Sequence, residues 1–74
     1  MTEERKVELL EDMMELDAGT LTPETVLSTL EEWDSIAIIS FIALVDDEFN
    51  RIIKGSLVKE QKTVADLMAL MEEA

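Results

Sequence analysis

Apolar residues recur at helical spacing along most of this chain. The densest run is Ile36-Ala37-Ile38-Ile39-Ser40-Phe41-Ile42-Ala43-Leu44-Val45, continued by Asp46-Asp47-Glu48-Phe49-Asn50-Arg51-Ile52-Ile53. It holds neither Gly nor Pro and is long enough for about four or five helical turns. Wound at about 100° per residue, Ile38, Phe41, Ile42, Val45, Phe49, Ile52 and Ile53 gather on one side, which predicts a core stripe. Ile36, Ile39 and Ala43 fall on the opposite side with Asp46, Asp47 and Asn50. This helix therefore carries a second, narrow apolar stripe edged with acid, and a small domain gains little from it unless a partner covers it.

Helical spacing also marks the two ends of the chain. Val7, Leu9, Leu10, Met13, Met14 and Leu16 occupy about half of one helix circumference, with Glu8, Glu11, Asp12 and Glu15 mostly outside it. Thr2 suits the N-cap, Glu3 and Glu4 suit the positive end of the helix dipole, and Gly19 marks the exit. The first helix is expected over residues 3–16. Near the other end, Thr63 followed by Asp66 resembles a capping box. Val64, Leu67, Met68 and Met71 then share a face, with Leu70 at its margin, in a helix expected to run to the end.

Between these helices lie two connections. Residues 17–34 are long for a loop in a small domain, which implies that they are anchored or functional. Thr22-Pro23-Glu24 predicts a short helical turn with Thr22 as cap, and Leu21, Val26, Leu27, Leu30 and Trp33 are spaced to fold back on the bundle. After Lys54-Gly55, Ser56-Leu57-Val58-Lys59-Glu60 has room for one helical turn. The pattern shows no strand, repeat or low-complexity tract. The expected architecture is an all-α, small four-helix bundle of three main helices plus a short third one, with residues 1–74 as a single domain.

Composition narrows the chemistry. The 74 residues contain no Cys and no His, so disulfides, thiolate metal sites and the commonest general base are all missing. Eighteen acids against six bases give a net charge of −12, which argues against nucleic acid and anionic membranes and favours partners with basic patches. An apolar fraction of 47% is too high for a disordered acidic tail. The acidic start Met1-Thr2-Glu3-Glu4 is unlike a signal peptide, and no apolar stretch approaches membrane-spanning length. A cytoplasmic monomer without membrane insertion is expected.

The segment Glu32-Trp33-Asp34-Ser35-Ile36 stands where the long connection meets the central helix. Asp34 and Ser35 both have short oxygen side chains able to accept an N–H from a first helical turn, and capping alone is one explanation for them. The other is that the Ser35 hydroxyl bears a phosphate-linked group, held where free N–H groups and the helix dipole favour an anion. No neighbouring side chain can activate that hydroxyl, so another enzyme would have to modify it.

Asp34-Ser35-Ile36 resembles the Asp-Ser-Leu modification motif of acyl carrier proteins, with Ile for Leu. The similarity extends over essentially the whole chain: an acidic first helix, a long loop, the motif, a second helix ending Asp46-Asp47-Glu48-Phe49, and the spacing to Thr63-Val64. The resemblance implies that a phosphopantetheinyl transferase attaches 4′-phosphopantetheine from coenzyme A to Ser35, and that the terminal thiol carries acyl groups as thioesters. It also implies a non-enzymatic carrier whose reactive group is imported, consistent with a chain lacking Cys and His. Asp34 would start the helix and contribute to magnesium or basic-residue contacts in the transferase complex. Ile36, Ile39 and Ala43 would face partner enzymes, with Asp46, Asp47 and Glu48 as salt-bridging acids used for steering.

The resemblance is incomplete. Ala37 and Ser40 stand where such carriers commonly have acids, Trp33 replaces a small residue, and Gly55-Ser56-Leu57-Val58-Lys59 is less acidic than usual. Fatty-acid synthesis and a dedicated pathway (specialised lipid, polyketide, aminoacyl or polysaccharide-modifying) both stay open. An aminoacyl or peptidyl carrier is the alternative with the same arm, though the free-standing length and the charge favour an acyl carrier. A plain acidic interaction module with Ser35 as a cap is the alternative without it. Calcium binding is disfavoured, since Asp46-Asp47-Glu48 lacks the alternating ligands and central Gly of an EF-hand loop.

Overall fold

In the computed structural model, which describes residues 2–72, the Thr2 hydroxyl accepts the Arg5 N–H at 3.2 Å and opens helix α1, Glu3–Met13. The helix stops three residues short of the expected end at 16, and the expected exit at Gly19 is also corrected. Glu15 takes a left-handed conformation (φ 58), its N–H returning to the Asp12 carbonyl at 3.2 Å and that of Leu16 to the Glu11 carbonyl at 2.8 Å. This is a Schellman-type reversal, which satisfies the last carbonyls of α1 with Glu in the place usually held by Gly. Gly19 (φ 87) belongs to the following turn.

The long connection is tied down at both of its neighbours. Leu21 and Leu27 are buried, Leu30 and Trp33 half-buried. Val26, expected to fold inward, is exposed; it lies opposite Thr63 in an isolated β-bridge held by the hydrogen bonds of the residues on either side. Glu11, expected outside, is 3% exposed and accepts the Leu21 N–H at 3.0 Å, so a carboxylate of α1 satisfies a backbone donor that the returning loop would otherwise leave unpaired.

Thr22-Pro23-Glu24 forms a hydrogen-bonded turn and not the expected helical one. The Thr25 N–H donates to the Thr22 carbonyl at 3.1 Å, and the Thr22 N–H to the Thr25 hydroxyl at 3.0 Å. The carbonyls that a helix would use there are engaged elsewhere: Pro23 accepts from Ala65 N–H (2.9 Å) and Thr25 from Val64 N–H (3.0 Å), while Leu27 N–H donates to Lys62 (2.8 Å). A single 3₁₀ turn follows at Leu27–Thr29.

Helix α2, Ser35–Phe49, is buried along Ala37, Phe41, Val45 and Phe49. Steps of four residues advance by about 400°, so this stripe slants across the helix and serves neighbours on both flanks. Ile38 and Ile42, expected in the core, are half-buried at its margins, as is Leu44. The helix ends at Phe49, where the resemblance places its end, and before Ile52 and Ile53 of the projected stripe. Asn50 is left-handed (φ 52) and returns its N–H to the Asp46 carbonyl at 3.0 Å, a reversal that Asn tolerates. Beyond it the helical projection fails: Ile53 is buried, but Ile52 points outward and is 86% exposed.

Helix α3, Gly55–Lys59, is the expected short turn and buries Val58. Helix α4, Val64–Leu70, begins with the expected capping box: the Thr63 hydroxyl accepts the Asp66 N–H (3.3 Å) and the Asp66 carboxylate accepts the Thr63 N–H (3.1 Å). It buries Val64, Leu67 and Met68 and ends at Leu70, with Met71 buried behind it, so it stops before the expected end. The last two positions, 73–74, lie outside the described residues. Helix α2 packs on α1 and α3, and α1 on α4, giving a four-helix bundle without strands among the described residues.

Candidate functional site

Asp34 and Ser35 separate into distinct roles at the start of α2. Asp34 is the N-cap: its backbone is extended (φ −124, ψ −171) and its Oδ1 accepts the Ala37 N–H at 2.9 Å. Ser35 is the first helical residue, exposed to solvent, and its hydroxyl has no hydrogen-bond partner among the described residues. Capping therefore accounts for Asp34 and leaves Ser35 without a structural task.

The two ends of the long connection treat their helices differently. At α4 the first N–H groups are all engaged, Val64 by Thr25, Ala65 by Pro23 and Asp66 by Thr63. At α2 the amides of Ser35 and Ile36 have no acceptor among the described residues. Orphan donors combined with the positive end of a fifteen-residue helix dipole suit a phosphate ester placed on the adjacent hydroxyl. The residues present thus fit a phosphate-linked group at this point.

A cleft of about 240 Å³ opens beside the motif, lined by Met13, Met14 and Glu15 of the α1 exit and by Asp34, Ile36 and Ala37, with Glu32 and Ser40 on its walls. The methionines and Glu15 were not legible as site residues, since they are distant in sequence and the α1 reversal alone brings them there. Ala37 is buried and Ser40 half-buried in this wall, so neither presents itself to solvent as an acid at that position would.

The second stripe of α2 is as expected. Ile36 is 73% exposed and Ile39 67%, and Ala43, Asp46 and Asp47 are exposed beyond them. Asp46 and Asp47 lie about 15 Å along the helix axis from Ile36 on the same side. Glu48 is exposed but lies about 100° around the helix from Asp47, so it does not share that face. Among the described residues no acidic group is arranged to hold a metal ion, and no helix is long and apolar enough to cross a membrane.

The model of a family described as phosphopantetheine attachment site matches residues 7–71, a span that includes Asp34 and Ser35. No match is found among curated proteins or among solved structures. With most of the chain matched, and with a helical bundle that presents a helix start suited to a phosphate ester, the protein belongs to the phosphopantetheine-binding carrier family, whose members are non-catalytic carriers of covalent 4′-phosphopantetheine.

Proposed function

We propose that the protein is an acyl carrier and that Ser35 bears the 4′-phosphopantetheine. The observation that carries this reading is the exposed Ser35 hydroxyl, unpartnered among the described residues and adjacent to two amides without acceptors. Attachment forms a bond between Ser35 Oγ and the phosphorus that bears the pantetheine, and breaks the pyrophosphate bond of coenzyme A. Adenosine 3′,5′-bisphosphate leaves, and the hydroxyl proton passes to a base of the phosphopantetheinyl transferase. Once attached, the group supplies a thiol on which acyl groups are held as thioesters.

The chain's own residues bind and orient. The Ser35 and Ile36 amides, without acceptors of their own, would hold the ester phosphate, and Asp34 fixes the first turn through the Ala37 N–H and would offer its carboxylate to magnesium or a basic side chain of the transferase. Ile36, Ile39 and Ala43 form the docking stripe for partner enzymes, and Asp46 and Asp47 at its edge steer their basic patches, with Glu48 on the adjoining face adding only to the long-range field. The net charge of −12 supports an acyl over an aminoacyl or peptidyl carrier, and the reading places the protein in the cytoplasm, beside coenzyme A. Intact-protein mass after incubation with coenzyme A, magnesium and a broad-specificity transferase tests it. One added phosphopantetheine in the parent and none in Ser35→Ala is expected. No gain in an initially unmodified parent with several transferases, or equal gain in the variant, overturns the assignment.

A further inference from the structure

Acids and bases are unevenly distributed over the chain. From Arg51 to Lys62 there are four bases and a single acid, Glu60, whereas the remainder holds seventeen acids and two bases, Arg5 and Lys6. Arg51 serves the fold, its guanidinium donating to the Leu70 carbonyl at the end of α4 (3.3 Å). Lys54 and Lys59 are exposed, and neither forms an ion pair among the described residues. Ile52, turned outward by Asn50, and the exposed Leu57 line a depression of about 360 Å³ together with Ile53, Lys54, Ser56 and Glu60. A hollow with three apolar residues and Lys54 in its lining thus stands in a basic segment of an otherwise strongly acidic molecule.

We propose that this depression between the end of α2 and α3 is a second docking surface, which takes an aliphatic side chain from an acidic segment of a partner protein. The stripe Ile36–Ile39–Ala43 is apolar and edged by Asp46 and Asp47, so it selects basic partners; the Ile52–Leu57 hollow lies in the one stretch where bases outnumber acids, and it selects carboxylates, which meet Lys54 in its lining and the exposed Lys59 of the same segment. Glu60 repels a carboxylate from its own side and so gives the bound segment a direction. A short segment needs to match only this patch, because charges more than about 8 Å away are largely screened at physiological salt. An anionic lipid surface or a second copy of the chain presents extended negative charge to the whole acidic molecule and is disfavoured by the net charge of −12. The surface involves neither Ser35 nor its modification, so it stands or falls separately from the carrier assignment.

The test is amide chemical-shift mapping on the full, unmodified chain. The probes are a short peptide of alternating Glu and Leu, its counterpart with Lys for every Glu, and phosphatidylglycerol vesicles. Saturable shifts confined to Ile52–Gln61 with the acidic peptide, absent with the basic one, are expected. Ile52→Ser, at an exposed position that the fold tolerates, and Lys54→Glu with Lys59→Glu should each weaken this binding by roughly tenfold or more, the first through the lost apolar contact and the second through like-charge repulsion. Indifference to peptide charge overturns the proposal, as do shifts that follow protein concentration instead of peptide, or broadening with vesicles without a response to the acidic peptide.

Discussion

The Trp33 indole meets the Phe41 ring edge-on, with centroids 6.2 Å apart and planes at 72°. Phe41 is fully buried at the centre of α2, and Trp33 is the residue immediately before the Asp34 cap. The contact therefore clamps the end of the long connection onto the helix whose first residue is Ser35. Trp33→Ala is expected to destabilise the protein by about 1–3 kcal/mol, from lost burial plus the aromatic pair, while Trp33→Phe loses less. Urea unfolding followed by circular dichroism measures both. In the parent, fluorescence of this single Trp reports whether the approach to Ser35 loosens before the bundle unfolds.

Asp34 separates stability from recognition. Asp34→Ala removes the acceptor of the Ala37 N–H and should cost about 1 kcal/mol, whereas Asp34→Asn keeps an acceptor and stays near the parent. If the carboxylate also meets magnesium or a basic side chain in the transferase complex, Asp34→Asn should slow loading of Ser35 about tenfold, the scale of one lost charge-assisted contact of roughly 1.5–3 kcal/mol. Equal loading rates in the Asn variant and the parent would reduce Asp34 to a cap.

Glu11 anchors the other end of the same connection. Glu11→Ala should destabilise by about 1–3 kcal/mol by leaving the Leu21 N–H without its acceptor, and Glu11→Gln by less because an oxygen remains in place. Hydrogen exchange at the Leu21 amide should accelerate in Glu11→Ala and stay protected in Glu11→Gln. Unchanged exchange in the Ala variant would mean that water replaces the carboxylate there.

Asp66 makes the start of α4 sensitive to acid. The backbone N–H of Lys62 (3.0 Å) and then that of Thr63 (3.1 Å) hold its carboxyl below the ordinary value of 3.8. With the folded value below the unfolded one, its contribution is complete above about pH 3.8 and is lost as the pH falls through the lowered value. The acid limb of stability should be shallower in Asp66→Asn than in the parent, read as the urea midpoint between about pH 5 and pH 2. Parallel acid limbs in the two proteins would show that the contact does not carry the dependence.

On the docking stripe, Ile39→Ser should change stability by no more than about 0.5 kcal/mol, since the side chain is 67% exposed. If partners use this face, the same substitution should lower kcat/KM of the transferase for the carrier by about tenfold, the effect of one moderate interface anchor. Loading at the parental rate would remove Ile39 from the transferase footprint.

Much of this molecule is determined by residues within a turn of one another, and those features are legible in the chain itself. Asp34 caps α2 through the amide three residues on, Thr63 and Asp66 close a capping box over the same distance, and Ile36, Ile39 and Ala43 share a face because helical rotation places them there. The short α3 turn and the buried positions of α4 follow from the same local rules.

What only the tertiary structure decided is where the helices reverse and which backbone groups find partners far away in sequence. Neither reversal falls at a Gly: Glu15 and Asn50 take left-handed conformations to satisfy the ends of α1 and α2, and the second of these turns Ile52 out of its projected core position. Thr22-Pro23-Glu24 is a turn because the carbonyls of Pro23 and of the following Thr25 serve α4, and Glu11 is buried because Leu21 needs an acceptor. Helical periodicity registers where a side chain would point if the helix continued. It contains nothing about which residue will turn left-handed to end that helix or which distant donor a loop carbonyl will serve, and the hydrogen-bond balance of the whole fold settled those points.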